Sequence, residues 1–376
     1  MRRPDACPGV LHPHQAADGA MVRLRVPGGR TTGTVLHRLR ELANSYGNGI
    51  LQLTSRAGLQ LRGLPDPLPP AFVTAIDTTG LLPSSSHERV RNIVASPLTG
   101  IVGGMADVGE LINALDAGLI EQPALADLPG RFLFVLDDGR GDVLGLAFDL
   151  GYQARSPQGG FVLVGSPTRG IAVTTAEVVP TLIRLALDFS VARTGNGAWH
   201  VADLVGWADP LDLTEIDPLR GLPAIRLGRI GDAASVAVPL ARLTQAQAEL
   251  VTALVGEDPV VITPWRGLVI PGAADRLAEL RAAGFVVDTD SAWSGLSACV
   301  GAPFCGRAQI DTTAIADLLA HSAVFAADGC STPVHVSGCD RRCGAPAGDH
   351  LDLVAPSPEE ALASVGAGVL SRMSRR

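Results

Sequence analysis

Two pairs of cysteines are the residues best suited to chemistry: Cys299 and Cys305 in Ala-Cys-Val-Gly-Ala-Pro-Phe-Cys-Gly, and Cys339 and Cys343 in Ser-Gly-Cys-Asp-Arg-Arg-Cys-Gly. These C-x5-C and C-x3-C pairs hold four of the six cysteines in the chain. Thiolates gathered in pairs from two loops suit a tetrahedral metal ion or a cubane iron–sulfur cluster, in which each iron takes one cysteine sulfur. The spacers favour the cluster. Structural zinc is normally gripped by knuckles of about two to four intervening residues, and a five-residue spacer is loose for one ion. A zinc site, and thiols that are idle or disulfide-bonded, stand as the alternatives. Cys7 and Cys330 lie outside the paired spacers and are expected to be free thiols rather than ligands.

The bulk numbers bound the class of protein. A chain of 376 residues, 47% hydrophobic and 18% charged, can build a packed globular protein of two or three domains. No apolar run approaches the roughly 18 residues that would span a bilayer. Met1-Arg-Arg-Pro-Asp5 has no apolar stretch behind it, so no secretory signal is expected. The protein is therefore read as cytoplasmic, where paired cysteines stay reduced and more often mean metal than disulfide. A net charge of −8 speaks against nucleic acid as a partner. All 30 basic residues are arginine, as codon usage in a GC-rich genome explains. The absence of lysine excludes P-loop, Schiff-base and lysine-held oxyanion chemistry.

The elements that must position the cysteines are written twice. Val22-Arg-Leu-Arg-Val-Pro27 reappears as Ser235-Val-Ala-Val-Pro239. Each is followed by an apolar-periodic helix, through Val35, Leu36, Leu39, Leu42 and Ala43 in one copy and Ala246, Leu250 and Leu254 in the other. Leu51-Gln-Leu-Thr-Ser-Arg-Ala-Gly-Leu-Gln-Leu-Arg-Gly63 is echoed by Val260-Val-Ile-Thr-Pro-Trp-Arg-Gly-Leu-Val-Ile-Pro-Gly272, with the alternation of half-buried strands. Each copy reads strand, helix, strand, strand: a ferredoxin-like half unit.

The match continues beyond the half units. Arg91-Asn-Ile-Val-Ala-Ser-Pro97 stands where Ser294-Gly-Leu-Ser-Ala-Cys-Val300 stands later. Helices are expected around Glu110–Leu119 and Thr313–Phe325, then strands at Pro129-Gly-Arg-Phe-Leu-Phe-Val and Pro333-Val-His-Val-Ser. The fold class is thus α+β and duplicated. It comprises a half unit at 18–75, a mixed α/β domain without cysteine ligands at 80–217, a second half unit at 224–283, and a cluster-bearing α/β domain at 284–376. The Pro- and Gly-rich breaks at Leu64–Pro70 and Asp217–Pro223 mark the boundaries. Thr174-Thr-Ala-Glu177 is a capping box opening a helix that Gly195-Asn-Gly197 closes. Asp137-Asp-Gly-Arg-Gly-Asp142 lacks calcium-loop spacing and reads as a hairpin turn. No dinucleotide fingerprint follows a strand, so electrons are expected from a separate reductase. A pseudo-twofold duplication tends to form its ligand cleft between the copies.

C-x5-C…Gly-C-x3-C, preceded by a Thr-x-Arg strand motif and an Arg-Asn loop in a duplicated frame, resembles the sulfite/nitrite reductase superfamily. Within it the chain resembles the precorrin-3B synthases, from Cys7-Pro8-Gly9 and Val26-Pro-Gly-Gly29 to Thr263-Pro-Trp-Arg266 and Cys343. The resemblance implies a sulfite/nitrite reductase-like architecture with pseudo-twofold symmetry and a [4Fe–4S] cluster on Cys299, Cys305, Cys339 and Cys343. It implies that Arg56, Arg91 and Asn92 line a tetrapyrrole and anion pocket. Where the reductases carry Leu-Pro-x-Lys-x-Lys, this chain has Leu128-Pro-Gly-Arg-Phe-Leu133. One cation survives, as Arg131; the other position is leucine, which disfavours anion reduction.

The implied activity is oxygen-dependent hydroxylation of the tetrapyrrole precorrin-3A with closure of a γ-lactone, a step of cobalamin biosynthesis. It takes O2, an external electron donor and a non-haem iron whose ligands the sequence does not name. Precorrins carry many carboxylates, which guanidinium groups bind in a two-pronged way. The expected substrate-binding residues are Arg56, Gln60, Arg91, Asn92, Arg131 and Arg266, with Arg62 beside them and Arg341 and Arg342 placed to tune the cluster; no catalytic residue is identified. The alternatives are a siroheme-dependent sulfite or nitrite reductase and a non-catalytic iron–sulfur electron carrier.

Overall fold

A computed structural model describes residues 5–373 except 196, 218, 220–224, 323–332 and 347. Cys330, Asn196, Phe325 and most of the Asp217–Pro223 break lie outside the described residues.

The two half units are interlaced. The first sheet orders its strands His14–Ala16, Gly19–Leu24, Leu59–Leu64, Leu51–Leu53 and Arg242–Leu243. The second orders them Gly228–Ile230, Ala233–Ala237, Gly267–Ile270, Pro259–Ile262 and Arg30–Thr32. Each sheet therefore takes its last strand from the other copy. Arg242 and Leu243 pair antiparallel with Gln52 and Leu51, while Arg30 and Thr31 pair with Val261 and Val260. The exchange closes one edge of each sheet, which an isolated half unit would leave open.

Helices Gly33–Tyr46 and Gln245–Val255 pack across the exchange. Thr32 caps the first through Val35 N–H, and Thr244 and Gln247 form a capping box on the second. Leu36, Leu39 and Leu42 from one helix and Ala248 and Val251 from the other join a single core that spans both copies. Complete burial of each such leucine contributes about 1.5–3 kcal/mol. A Cβ on Gly33 would lie 2.8 Å from Thr252 Cα, so glycine sets how closely the helices approach.

The α/β domains repeat one theme at different sizes. Strands Ile93–Ala95, Phe134–Asp137 and Leu150–Ser156 are parallel, and the sheet extends antiparallel through Gly159–Val164, Arg169–Thr174 and Thr214–Glu215. Helices Gly109–Glu121 and Val178–Ala192 pack on one face, the latter entered through the Thr174/Glu177 capping box. In the second domain Leu296–Ala298, Val334–Ser337 and Leu351–Val354 are parallel, packed with helices Thr312–Ala320 and Pro358–Met373. Asp137–Asp142 is not the expected hairpin turn: the strands it helps to join are parallel, so it begins a crossover loop. Among the described residues no helix is long and apolar enough to cross a membrane.

The registers define the equivalence of the two domains. Ile93 pairs with Phe134 as Leu296 pairs with Val334, so Ser96 corresponds to Cys299. The hydrogen bonds agree. Asp138 N–H donates to Ser96 Oγ at 3.1 Å, and Gly338 N–H donates to Cys299 Sγ at 3.2 Å.

Candidate functional site

The cysteines stand at the C-terminal ends of adjacent parallel strands, where open α/β sheets carry their ligands. Cys299 follows Leu296–Ala298 and is tied down by its N–H to Val336 O at 2.9 Å. Cys305 ends the same loop, while Cys339 and Cys343 occupy the turn after Val334–Ser337. Three arginines of the half units hold these loops through carbonyl oxygens. Arg62 donates to Phe304 O at 2.8 Å, Arg242 to Val300 O at 3.2 Å, and Arg266 to Gly344 O at 3.3 Å.

All four cysteines line one cavity of about 1240 Å³ between the copies. The facing wall comes from the first copy and from an N-terminal arm. Among the described lining residues are nine arginines, at positions 23, 25, 56, 62, 91, 131, 266, 307 and 341, against one carboxylate, Asp5. Trp199, Trp265 and Trp293 supply flat apolar surface. Such a wall attracts a large planar polyanion.

The turn bearing Arg56 shows how the fold presents these groups. Thr54 N–H donates to Gly58 O at 2.9 Å and Gly58 N–H to Thr54 Oγ1 at 3.1 Å; Thr263 and Gly267 repeat both bonds at the same distances. A side chain at Gly58 or Gly267 would meet the carbonyl oxygen of the neighbouring strand, at 2.7 Å and 2.3 Å. The turn projects Arg56 in one copy and Trp265 in the other into the cavity.

The structure separates the expected site residues. Arg56 lines the cavity, and its guanidinium makes no hydrogen bond to protein among the described residues; burial first, and then neighbouring Arg23 and Arg131, work to lower its pKa. Arg131 is exposed there and lies over the Trp199 ring at 5.6 Å. Gln60 receives Arg23 at 3.0 Å and donates to Gln52. Asn92 accepts from Arg25 at 3.0 Å and donates to the Arg89 and Gly130 carbonyls. Arg91 reaches the lining, but its guanidinium is held by both oxygens of Asp116 at 2.7 Å. Arg266 spends a donor on the Gly344 carbonyl. Arg62 pairs with Asp18 at 3.0 Å, Arg342 pairs with Asp352 at 3.0 Å, and Arg341 lines the cavity.

Arg23 and Arg25, which line the cavity, carry no site assignment from the sequence, and Cys7 was expected only as a free thiol. Arg23 and Arg25 alternate on the strand before Pro27, and that alternation was the available signal. Arg25 is 6% exposed and has no carboxylate partner among the described residues; it donates to Asn92 and to the Pro8 and Arg23 carbonyls. Burial, with Arg23 adding to it, pushes Arg25 down to about 10. Cys7 lines the cavity from the N-terminal arm, its thiol pushed up by burial and by Asp5.

The donor set suits an iron–sulfur cluster. All four are free thiols, and Cys299 Sγ already receives a backbone N–H, as cluster sulfurs do. Among the described residues no three His, Cys, Asp or Glu side chains are grouped so as to hold a metal ion. The same observation leaves the expected non-haem iron without a ligand set.

Comparison with known proteins agrees with this architecture. Residues 12–72 match the nitrite/sulfite reductase ferredoxin-like half domain. The chain is 28% identical to a precorrin-3B synthase of Sinorhizobium sp., over 95% of this chain and 82% of that one. It is 31% identical to a ferredoxin–nitrite reductase of Synechococcus elongatus, over 48% of this chain and 37% of that one. The Mycobacterium tuberculosis NirA protein superposes with a TM-score of 0.66 at 22% identity, covering 85% of this chain and 68% of that chain. The chain thus has a nitrite/sulfite reductase-like fold, carries that superfamily's ferredoxin-like half domain, and is similar along nearly its whole length to a precorrin-3B synthase.

Proposed function

We propose that this protein is an iron–sulfur oxidoreductase of the precorrin-3B synthase type, acting on precorrin-3A. One observation carries the reading: four thiols share a single cavity with nine arginines and one carboxylate, six of those arginines on the copy opposite the thiols, in a chain similar almost end to end to a precorrin-3B synthase. A [4Fe–4S] cluster on Cys299, Cys305, Cys339 and Cys343 would supply one-electron transfer. Arg56, Arg131, Arg23 and Arg25 bind the substrate carboxylates. Trp199 and Trp265 flank the macrocycle, and Gln60 and Asn92 orient the arginines. Arg91 and Arg266 act from behind, holding Asp116 and the Cys343 turn.

The reaction inserts one oxygen atom of O2 as a ring hydroxyl, and an acetate carboxyl closes on the ring as a γ-lactone. The other oxygen atom leaves as water, reduced by electrons from a separate donor. The half-unit boundaries near 18–75 and 224–283, the cluster ligands and a cytoplasmic setting are part of the same proposal.

A siroheme-dependent reductase fits less well. In Leu128–Leu133 only Arg131 presents a cation to the cavity, and Leu133 is buried in the core behind the sheet. The test is turnover of precorrin-3A by anaerobically prepared protein with its iron and sulfide counted. Product is expected only with O2 and an electron donor, and none from Cys299→Ser or Cys339→Ser protein. Turnover without O2 would overturn the reading, and sharp tetrapyrrole bands in the isolated protein would transfer it to the siroheme class.

A further inference from the structure

The duplication that puts thiols at the end of one parallel sheet puts oxygens at the end of the other. Val94 and Val135 face the core behind the six-stranded sheet, so Ser96, Asp137 and Gln153, following by alternation, lie on that same face. They stand level, at the C-terminal ends of the first two parallel strands and midway along Leu150–Ser156, and Asp137 is the register partner of Gln153. Asp142 reaches back over them, its Oδ1 accepting from Ser96 Oγ at 2.7 Å. Asp137, Asp138 and Gln153 have no exposed surface, and Asp142 is 8% exposed.

This nest is short of partners. Asp137 Oδ1 accepts from Gly139 and Gly141 N–H, and the Val143 N–H also acts on this carboxyl, but no donor stands in hydrogen-bond geometry to its Oδ2 among the described residues. Asp142 Oδ2 and both polar atoms of the Gln153 amide are equally unpaired. Buried polar atoms in folded proteins are satisfied by protein, by water or by an ion. Charge decides among these. Asp138 is neutralised by Arg140 in a two-pronged pair at 2.8 Å. Among the described residues Asp137 and Asp142 have no ion-pair partner of their own; the single Arg140 cation, committed to Asp138, acts on both only through space, so three buried carboxylates share one cation.

We propose that Asp137, Asp142 and the Gln153 amide oxygen bind a hard divalent cation of the Mg²⁺, Mn²⁺ and Ca²⁺ class, with water completing its shell. Carboxylate and amide oxygens select these ions over thiophilic metals, which the opposite copy serves. Two ionised ligands make a weak site, with a dissociation constant of about 0.1–1 mM. The site rests on neither the cluster nor the proposed reaction. The competing state is proton uptake, since burial pushes Asp142 up to about 7.

The test uses the full chain with its cluster counted by absorbance before and after exchange into metal-free buffer. Mn²⁺ is added, and free Mn²⁺ is read by its paramagnetic resonance. One Mn²⁺ per chain is expected, together with a rise in the unfolding temperature. Asp142→Asn is expected to weaken binding at least tenfold. Gln153→Met is expected to do the same, and serves should Asp142→Asn fail to fold. The proposal is overturned by an absence of saturable binding up to about 1 mM, by binding that survives both substitutions, or by an Asp142→Asn protein that gains stability while wild type gains none from Mn²⁺.

Discussion

Two arginines that look alike in the sequence have opposite duties in the fold. Arg56 faces the cavity with its guanidinium free of hydrogen bonds to the described residues, whereas Arg91 is committed to Asp116. Arg91→Ala should therefore destabilise the protein by about 3–5 kcal/mol, because it strands a half-buried carboxylate. Arg56→Ala should leave stability within about 1 kcal/mol yet weaken tetrapyrrole binding about tenfold, the loss expected for a charge-assisted hydrogen bond. Urea unfolding and fluorescence titration on the same two proteins check this, and equal stability losses would refute the division. The sequence could not make it. Asp116 lies on the helix Gly109–Glu121, 25 residues from Arg91, and nothing in the spacing marks it as the partner. The cysteines were legible for the opposite reason: their pairing within short loops is a local constraint that survives in the spacing.

At the scale of elements, the sequence showed the repeat but not the exchange. The strands that cross between copies, Arg30–Thr32 and Arg242–Leu243, are three and two residues long, too short for any periodicity. Both carry an arginine that fixes the loop beyond its own copy's first parallel strand, Arg30 on Thr99 O and Arg242 on Val300 O. Each half unit thus depends on the other for a sheet edge and for half of its core. A fragment of residues 12–75 should not fold alone, and amide exchange along Leu51–Leu53 in that fragment should be unprotected. Gly33→Val forces a side chain against Thr252 at the helix crossing and should cost about 1–3 kcal/mol. Because the copies share strands, denaturant unfolding of the half units should remain one transition. A separate early transition for residues 12–75 would show that the exchanged strands do not couple them.

The whole molecule sets two unlike walls against each other, and the balance of charge between them decides what the cavity accepts. The chain as a whole is acidic, with a net charge of −8, yet its cavity gathers nine arginines. The cation at Arg25 is buried with no carboxylate hydrogen-bonded to it among the described residues, Glu88 acting on it only through space, so an anionic ligand relieves part of its desolvation cost. Binding should then depend on ligand carboxylates more than on the macrocycle. A polycarboxylate porphyrin is expected to bind at least about tenfold more tightly than its methyl ester of the same ring. A single charge-assisted hydrogen bond is worth about 1.5–3 kcal/mol and about 1.4 kcal/mol is tenfold. Trp199, Trp265 and Trp293 line the cavity, so quenching of intrinsic fluorescence reports both titrations. Raising the salt concentration should narrow the difference by screening, since the cavity opens to solvent through exposed Arg131, Arg307 and Arg341. If acid and ester bound alike, the arginine wall would not be what selects the ligand, and stacking on the tryptophans alone would have to account for the site.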